Sequence, residues 1–512
     1  MTAAAARTDY WQLARQHEAN QDLPGALDAW QQALIAEPES IEIARHLADL
    51  AFRLHLWDMA EKILAHLILR GVRDTVTVTA YAATLREQSR YDEAIDLLKT
   101  VVGQSPGEST LWEGLGCVMA AKGDAAMAQI FFAESLRLDP DNIHALFNRG
   151  CALIDAGDLR AGLIDVRTCA ELFRNPGNCN SAVLVSAHTA LAQGDLKNGW
   201  AWFEARHKRG TNGQVHYDLK MPRLTAIEGL SGKHLFVSAE QGLGDEVLFG
   251  SLLPDIEAAI GPKGRLGIGV EPRLVALFSR SFPNATVVAH QTRTINARII
   301  RHFPELDPKP FDSYALLGDF LATFRGEPGD FRNPRAFLKP HPQRQAWWRQ
   351  YFSRLGSQPK AGVLWKSLKT GAERDRHFAG FDLWQDLLAT PGITFVNIQY
   401  GDSAPEMAAA RAAGLDVHTP EGVNLKDDLD DLGALCTALD VVIGPSNATT
   451  NIAAACGART WLIGSRYSWL RLGMEPFPWY PKVRYFDTPG PGEWKPALEH
   501  VRDELTGLAQ AL

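Results

Sequence analysis

Apolar residues recur at helical spacing through the first two hundred positions, then give way to short apolar runs separated by amphipathic stretches. In the first region the pattern repeats. Units starting at Arg7, Ile41, Thr75, Ser109 and Ile143 lie 34 residues apart, and each reads as two helices joined by a turn. The first unit places Tyr10, Leu13, Ala14, Ala26, Trp30, Ala33 and Pro38, and the fourth returns Trp112, Leu115, Gly116, Ala128, Phe132 and Pro140 at the same offsets. Ala14, Ala48, Ala82, Gly116 and Gly150 fall one period apart, where two helices must approach closely. The second unit departs from the pattern, with Val72 where a proline would end the helix, and a sixth, about 179 to 210, is looser. Because one such unit cannot bury its apolar face alone, the units are expected to stack into an all-α solenoid with a concave groove.

Residues 211–232 lose this periodicity and read as a connector. Beyond them, strand candidates at Leu235–Ala239, Leu266–Val270, Thr286–Ala289, Gly362–Trp365, Thr394–Ile398, Asp440–Ile443 and Thr460–Ile463 alternate with helical segments. Such alternation predicts α/β architecture with parallel, doubly wound sheets. A break rich in proline (Pro328, Pro334, Pro340, Pro342) splits the region into lobes at 233–340 and 341–512. Ligands of such sheets bind beyond the carboxyl ends of strands, so the loops after Ala239, Trp365, Ile398 and Ile443 are expected to meet at one place.

Composition narrows the classes. With 46% hydrophobic and 22% charged residues the chain is ordinary globular material, and a net charge of −8 disfavours a general nucleic-acid binder. No stretch approaches a transmembrane span, and the N-terminal Met-Thr-Ala-Ala-Ala-Ala-Arg lacks the apolar core of a secretory signal. Six cysteines without a C-x-x-C pair fit a reducing cytoplasm, and no ligand cluster suggests a metal.

The candidate chemistry lies in the predicted loops. In Ala239-Glu-Gln-Gly-Leu-Gly-Asp245, Gly242 and Gly244 permit backbone angles that a side chain would forbid, and Asp245 opens a helix, so backbone N–H groups converge where an anion can sit. A dinucleotide fingerprint would need a third glycine where Val247 stands, and no phosphate-loop Gly-Lys-Ser/Thr follows. A plain turn accounts for the same spacing equally well. The second loop, from Lys366 through Arg374, Arg376 and His377, is basic enough to hold a nucleotide's phosphate; a solvated charged loop is its other reading. Gln399 and Tyr400 end a strand where a base, ribose or sugar could lie. Ser446 and Asn447 can cap a helix whose N-terminus points into the cleft, with or without a ligand role.

The Ala-Glu-Gln-Gly-Leu-Gly-Asp loop, the Leu-Trp-Lys and Arg-Asp-Arg-His segments and the Pro-Trp-Tyr-Pro run resemble a bacterial tetratricopeptide-repeat (TPR) glycosyltransferase family related to the heptosyltransferases. This resemblance implies a TPR domain over 1–210, followed by a GT-B unit of two Rossmann-like lobes, the first on the acceptor side and the second on the nucleotide-sugar side. Relatives carry an Asp-Thr pair and a later His where this chain has Ser446, Asn447 and Asn451. The Asn-Ile-Gln-Tyr-Gly-Asp wording looks closest to transferases that modify flagellin with nonulosonic acids, which implies a CMP-linked donor.

The resemblance thus implies an inverting, metal-independent protein O-glycosyltransferase using a nucleotide-sugar co-substrate and no resident cofactor. Asp245 would take or orient the Ser/Thr hydroxyl, with Glu240 as runner-up, and Lys366, Arg374 and Arg376 would stabilise the departing phosphate. The repeats would hold the acceptor protein. Two other readings stand beside it: a TPR scaffold with a degenerate transferase half, and transfer to a glycan or lipid-linked glycan.

Overall fold

The computed structural model describes residues 3–208, 214–224, 226–295, 298–331, 334–368, 377–490 and 492–510. They divide into two compact units, with the main break after Ala182. No helix among the described residues is long and apolar enough to cross a membrane.

The first unit is built of helix pairs. First helices start at Ile41, Thr75, Ser109 and Ile143, and second helices at Leu23, Trp57, Tyr91, Ala125 and Leu159, so the 34-residue period of the sequence is the period of the structure. Asp22, Ser40, Asp74, Asp124, Asn142 and Asp158 cap these helices through side-chain oxygens that accept backbone N–H groups. The small residues sit where helices cross. A Cβ on Gly116 would come within 2.5 Å of the Phe132 ring, and one on Gly150 within 2.7 Å of Val166.

The turn inside each pair also recurs. Gln21, His55, Ser89, Gly123 and Gly157, again one period apart, all adopt positive φ, from 59° to 95°. Only the last two are the residue type suited to that region. Gly157→Ala is therefore expected to lower stability by about 1 kcal/mol, measured by urea unfolding; an unchanged midpoint would mean that the turn relaxes.

The looser sixth repeat belongs to the second unit, which begins at Val183. Leu191, Leu196, Trp200 and Phe203 are buried in one core with Val237 and Phe249, and the Trp200 indole donates to the Arg325 carbonyl at 2.7 Å. A boundary at residue 210 would cut through this core, which explains why the compact unit starts earlier than the repeat pattern implies.

The second unit holds two parallel sheets. In one, β2 (His234–Ser238), β3 (Arg265–Val270), β4 (Thr286–Ala289) and β7 (Ser313–Leu316) are ordered β4-β3-β2-β7. In the other, β8 (Lys360–Val363), β9 (Thr394–Asn397), β10 (Val417–His418), β11 (Val441–Pro445), β12 (Thr460–Ser465) and β13 (Val483–Thr488) are ordered β10-β9-β8-β11-β12-β13. All seven strands expected from the sequence are present, with ends that differ by at most two residues. The connector is more ordered than its sequence indicated. It contains β1 (Val215–Asp218), which joins β6 (Arg298–His302) and β5 (Gln291–Ile295) in a small third sheet, and its Tyr217 packs on a cluster with Phe236 and Phe311.

One hydrophobic core spans both parallel sheets, joining Val237 and Leu266 of the first to Val442 and Leu462 of the second. The two lobes of the sequence reading therefore lie within a single compact unit.

Candidate functional site

Each parallel sheet reverses its winding at one strand. β2 lies between β3 and β7, and β8 between β9 and β11. The crevice beyond the carboxyl end of such a strand is where open α/β sheets take ligands. The four loops at these two places carry Glu240–Asp245 (after β2), Leu317–Asp319 (after β7), Lys366 (after β8) and Ser446–Asn447 (after β11).

After β2 the chain turns sharply and enters the helix Leu243–Gly250. The positive φ expected at the glycines falls instead on Gln241, at 61°, while Gly242 is extended. Gly244 marks a contact instead. A Cβ there would lie 3.4 Å from the Ala448 nitrogen and 3.5 Å from Asn451 Nδ2, ordinary van der Waals distances, so this helix rests against the helix Ala448–Ala455 of the second sheet at that point. Two helix N-termini, one from each sheet, thus meet beside Asp245. That residue is half-buried, and its Oδ2 accepts the Gly242 N–H at 3.2 Å.

The loop is held from beneath by charge. Glu246 is buried, receiving Arg301 Nη1 (3.2 Å), His290 Nε2 (3.0 Å) and the Glu271 N–H (2.9 Å). Arg301 also donates to the carbonyls of Ala239 and Gln241, at 3.0 and 2.6 Å, on either side of Glu240.

Glu240 is part of this frame rather than an open cleft residue. Arg206 meets both its oxygens, at 3.0 and 3.2 Å, and the Gly318 N–H donates to Oε1 at 2.6 Å. Arg206, Arg223 and His207 all converge on Asp319 Oδ1, at 2.8, 2.8 and 3.2 Å. Burial alone would raise the Asp319 pKa, but the bonds from His207, Arg206 and the Leu316 N–H outweigh it and hold the carboxyl well below the usual range. Glu204, His207 and Asp319 offer donor atoms within 4.8 Å of one another. A metal ion there would face two guanidinium groups, which argues against one.

On the second sheet, Gln399 is consumed by the backbone. Its carbonyl oxygen accepts the N–H groups of Trp365 (3.0 Å) and Lys366 (2.9 Å), and its amide donates to the carbonyls of Lys366 and Tyr400. It is buried and shapes the loop, so the ligand contact expected of it is replaced by a structural one. Tyr400 is partly exposed at the strand's end. Lys366 stands three residues past Val363, which pairs in register with Ile443; Ser446 stands three past Ile443, so the two share one edge. The Lys366 ammonium is bonded to Glu406. His377 is exposed. Arg374 and Arg376 lie outside the described residues.

Asn447 caps the Ala448 helix, accepting the Thr450 N–H at 3.2 Å, while its Nδ2 is buried without a hydrogen-bond partner. Asn451 is buried and accepts the Tyr480 hydroxyl at 3.1 Å. Ser446 is partly exposed beside them. Tyr480 and Trp479 of the Pro-Trp-Tyr-Pro run are themselves core residues.

The frame residues Arg206, Arg301 and Asp319 were not singled out in the sequence. Arg206 sits in a repeat, 34 positions before its partner Glu240, and β7 was hidden because Ser313-Tyr-Ala-Leu316 is too short and mixed to stand out.

No protein-family model matches the chain. Among solved structures, a thermophilic TPR protein of Thermus thermophilus is 20% identical, covering 32% of this chain and 90% of that one at a TM-score of 0.29. Pseudomonas aeruginosa PilF is 20% identical, covering 40% and 90% at 0.31. The helix-pair assignment rests on the period of the chain itself. A much longer likeness is to Protein FlbA of Caulobacter vibrioides, 41% identical over 502 residues, 97% of this chain and 84% of that protein. Aligned over nearly its whole length at that identity, the chain belongs to the family of Protein FlbA.

Proposed function

We propose that this protein is a GT-B glycosyltransferase that moves a sugar from a nucleotide-sugar to a Ser or Thr hydroxyl of a protein held by its repeats. The observation that carries the reading is the meeting of the Leu243 and Ala448 helix N-termini through Gly244, at the carboxyl ends of two parallel sheets. Backbone N–H groups at such a point favour a phosphate, and Lys366 stands on the same edge of the second sheet. Asp245, at the same junction, would orient or deprotonate the acceptor hydroxyl on this reading. The specific form of the proposal, from the family resemblance, is a CMP-linked nonulosonic acid donor and flagellin as acceptor. The helix-pair unit supports a protein acceptor, since stacked repeats present extended binding surfaces.

The test is thermal stabilisation by CMP, UDP, GDP and ADP, comparing wild type with Lys366→Ala. A bound nucleotide at one hundred times its Kd should add about 2.7 kcal/mol, with the shift reduced in the variant. CMP as the preferred nucleotide would favour the nonulosonic form. No shift with any of the four would turn the reading toward a non-catalytic scaffold.

A further inference from the structure

Lys366 is gripped twice. Gln399 fixes its backbone through both the N–H and the carbonyl, and Glu406, in the helix Ala404–Ala412, binds its ammonium. The lysine side chain is 31% exposed and the glutamate side chain 17%, so the carboxylate is the more buried of the two. Burial works against ionisation of Glu406, but the bond from Lys366, with help from the glutamate's own backbone N–H, outweighs it, and the carboxyl is held below its usual range. The carboxylate therefore remains charged at neutral pH and keeps the ammonium occupied.

We infer that Glu406 is an internal competitor for the anionic ligand: a phosphate reaching Lys366 must take the place of this carboxylate. The inference rests on the nucleotide-sugar reading and adds to it a device that tunes affinity. Two anions contend for one cation whose backbone cannot move away, because Gln399 anchors it. When the ligand is bound, the ammonium turns from Glu406 to the phosphate. When the ligand leaves, Glu406 recovers its partner, which lowers the barrier to release of a product that still carries the phosphate. No covalent bond changes; only the partner of one ammonium does.

Glu406→Gln keeps the size of the side chain and removes its charge. Nucleotide binding is measured by titration calorimetry on the full chain at low ionic strength, using whichever of CMP, UDP, GDP and ADP the wild type binds most tightly. The variant should bind about tenfold more tightly, a typical scale for relieving a close charge pair, and the gain should shrink as salt is added. The gain should also vanish when Lys366→Ala is present, so that the double variant binds like Lys366→Ala alone. A gain in affinity is not something a misfolded variant produces. Binding by Glu406→Gln that equals or falls below wild type, or a gain that survives Lys366→Ala, overturns the inference while leaving the transferase reading standing. No binding of any of the four nucleotides by either wild type or Glu406→Gln overturns both.

Discussion

Arg206→Met is expected to destabilise the second unit by about 3–5 kcal/mol, the scale for removing one partner of a buried ion network. Arg206 is 7% exposed and holds Glu240 and Asp319 together, so its loss leaves two carboxylates facing each other with one fewer donor. The remaining partners of Asp319, His207 and Arg223, soften the effect only in part. Urea unfolding followed by tryptophan fluorescence should show the change. A loss under about 1 kcal/mol would mean that the network is hydrated enough to be dispensable. The same network sets an acid response. Asp319 has a depressed folded pKa, so its contribution is fully present above the unfolded value near 4 and is lost as the pH falls below it toward the folded value. In Arg206→Met that part of the acid sensitivity should shrink.

The second large effect falls on chemistry. If the proposed transferase reading holds, Asp245→Asn should lower sugar transfer by about 10² to 10⁴, the usual contribution of a positioned acid or base. Melting behaviour should change little, because an asparagine oxygen can still accept the Gly242 N–H. Intact-mass spectrometry of the proposed acceptor, flagellin, incubated with the protein and the proposed CMP-nonulosonic acid donor reads the rate. A variant as fast as wild type would reduce Asp245 to a helix cap, and one that melts early would show that the cap itself needs the charge.

What could be read from the chain alone followed from periodicity. A 34-residue repeat leaves its mark at five successive units, and an apolar strand before a glycine turn, as at Leu235–Ala239, has few other readings. The helix starts and seven strands emerged for that reason. Side-chain partnerships left no such mark. Nothing local in Glu240 indicates that a guanidinium from the last repeat will cover it, and nothing in Gln399 separates a ligand contact from a clamp on two N–H groups. Both are settled by residues far away in sequence. The glycines teach the same lesson. Gly242 and Gly244 looked like the residues of backbone freedom, yet the positive φ of this loop falls on Gln241, which nothing in the spacing marks.

The core that runs through both parallel sheets dictates how chimeras of this protein can be assembled. Recombination at the proline-rich break would ask a foreign half to match Val237, Phe249, Ile452 and Leu462 at once. Exchange of the entire segment from Val183 onward asks for none of that matching, since Arg206 and Trp200 travel with their partners. The second unit should therefore be transplanted between family members as one cassette, with the crossover placed inside the helix Pro176–Ala192.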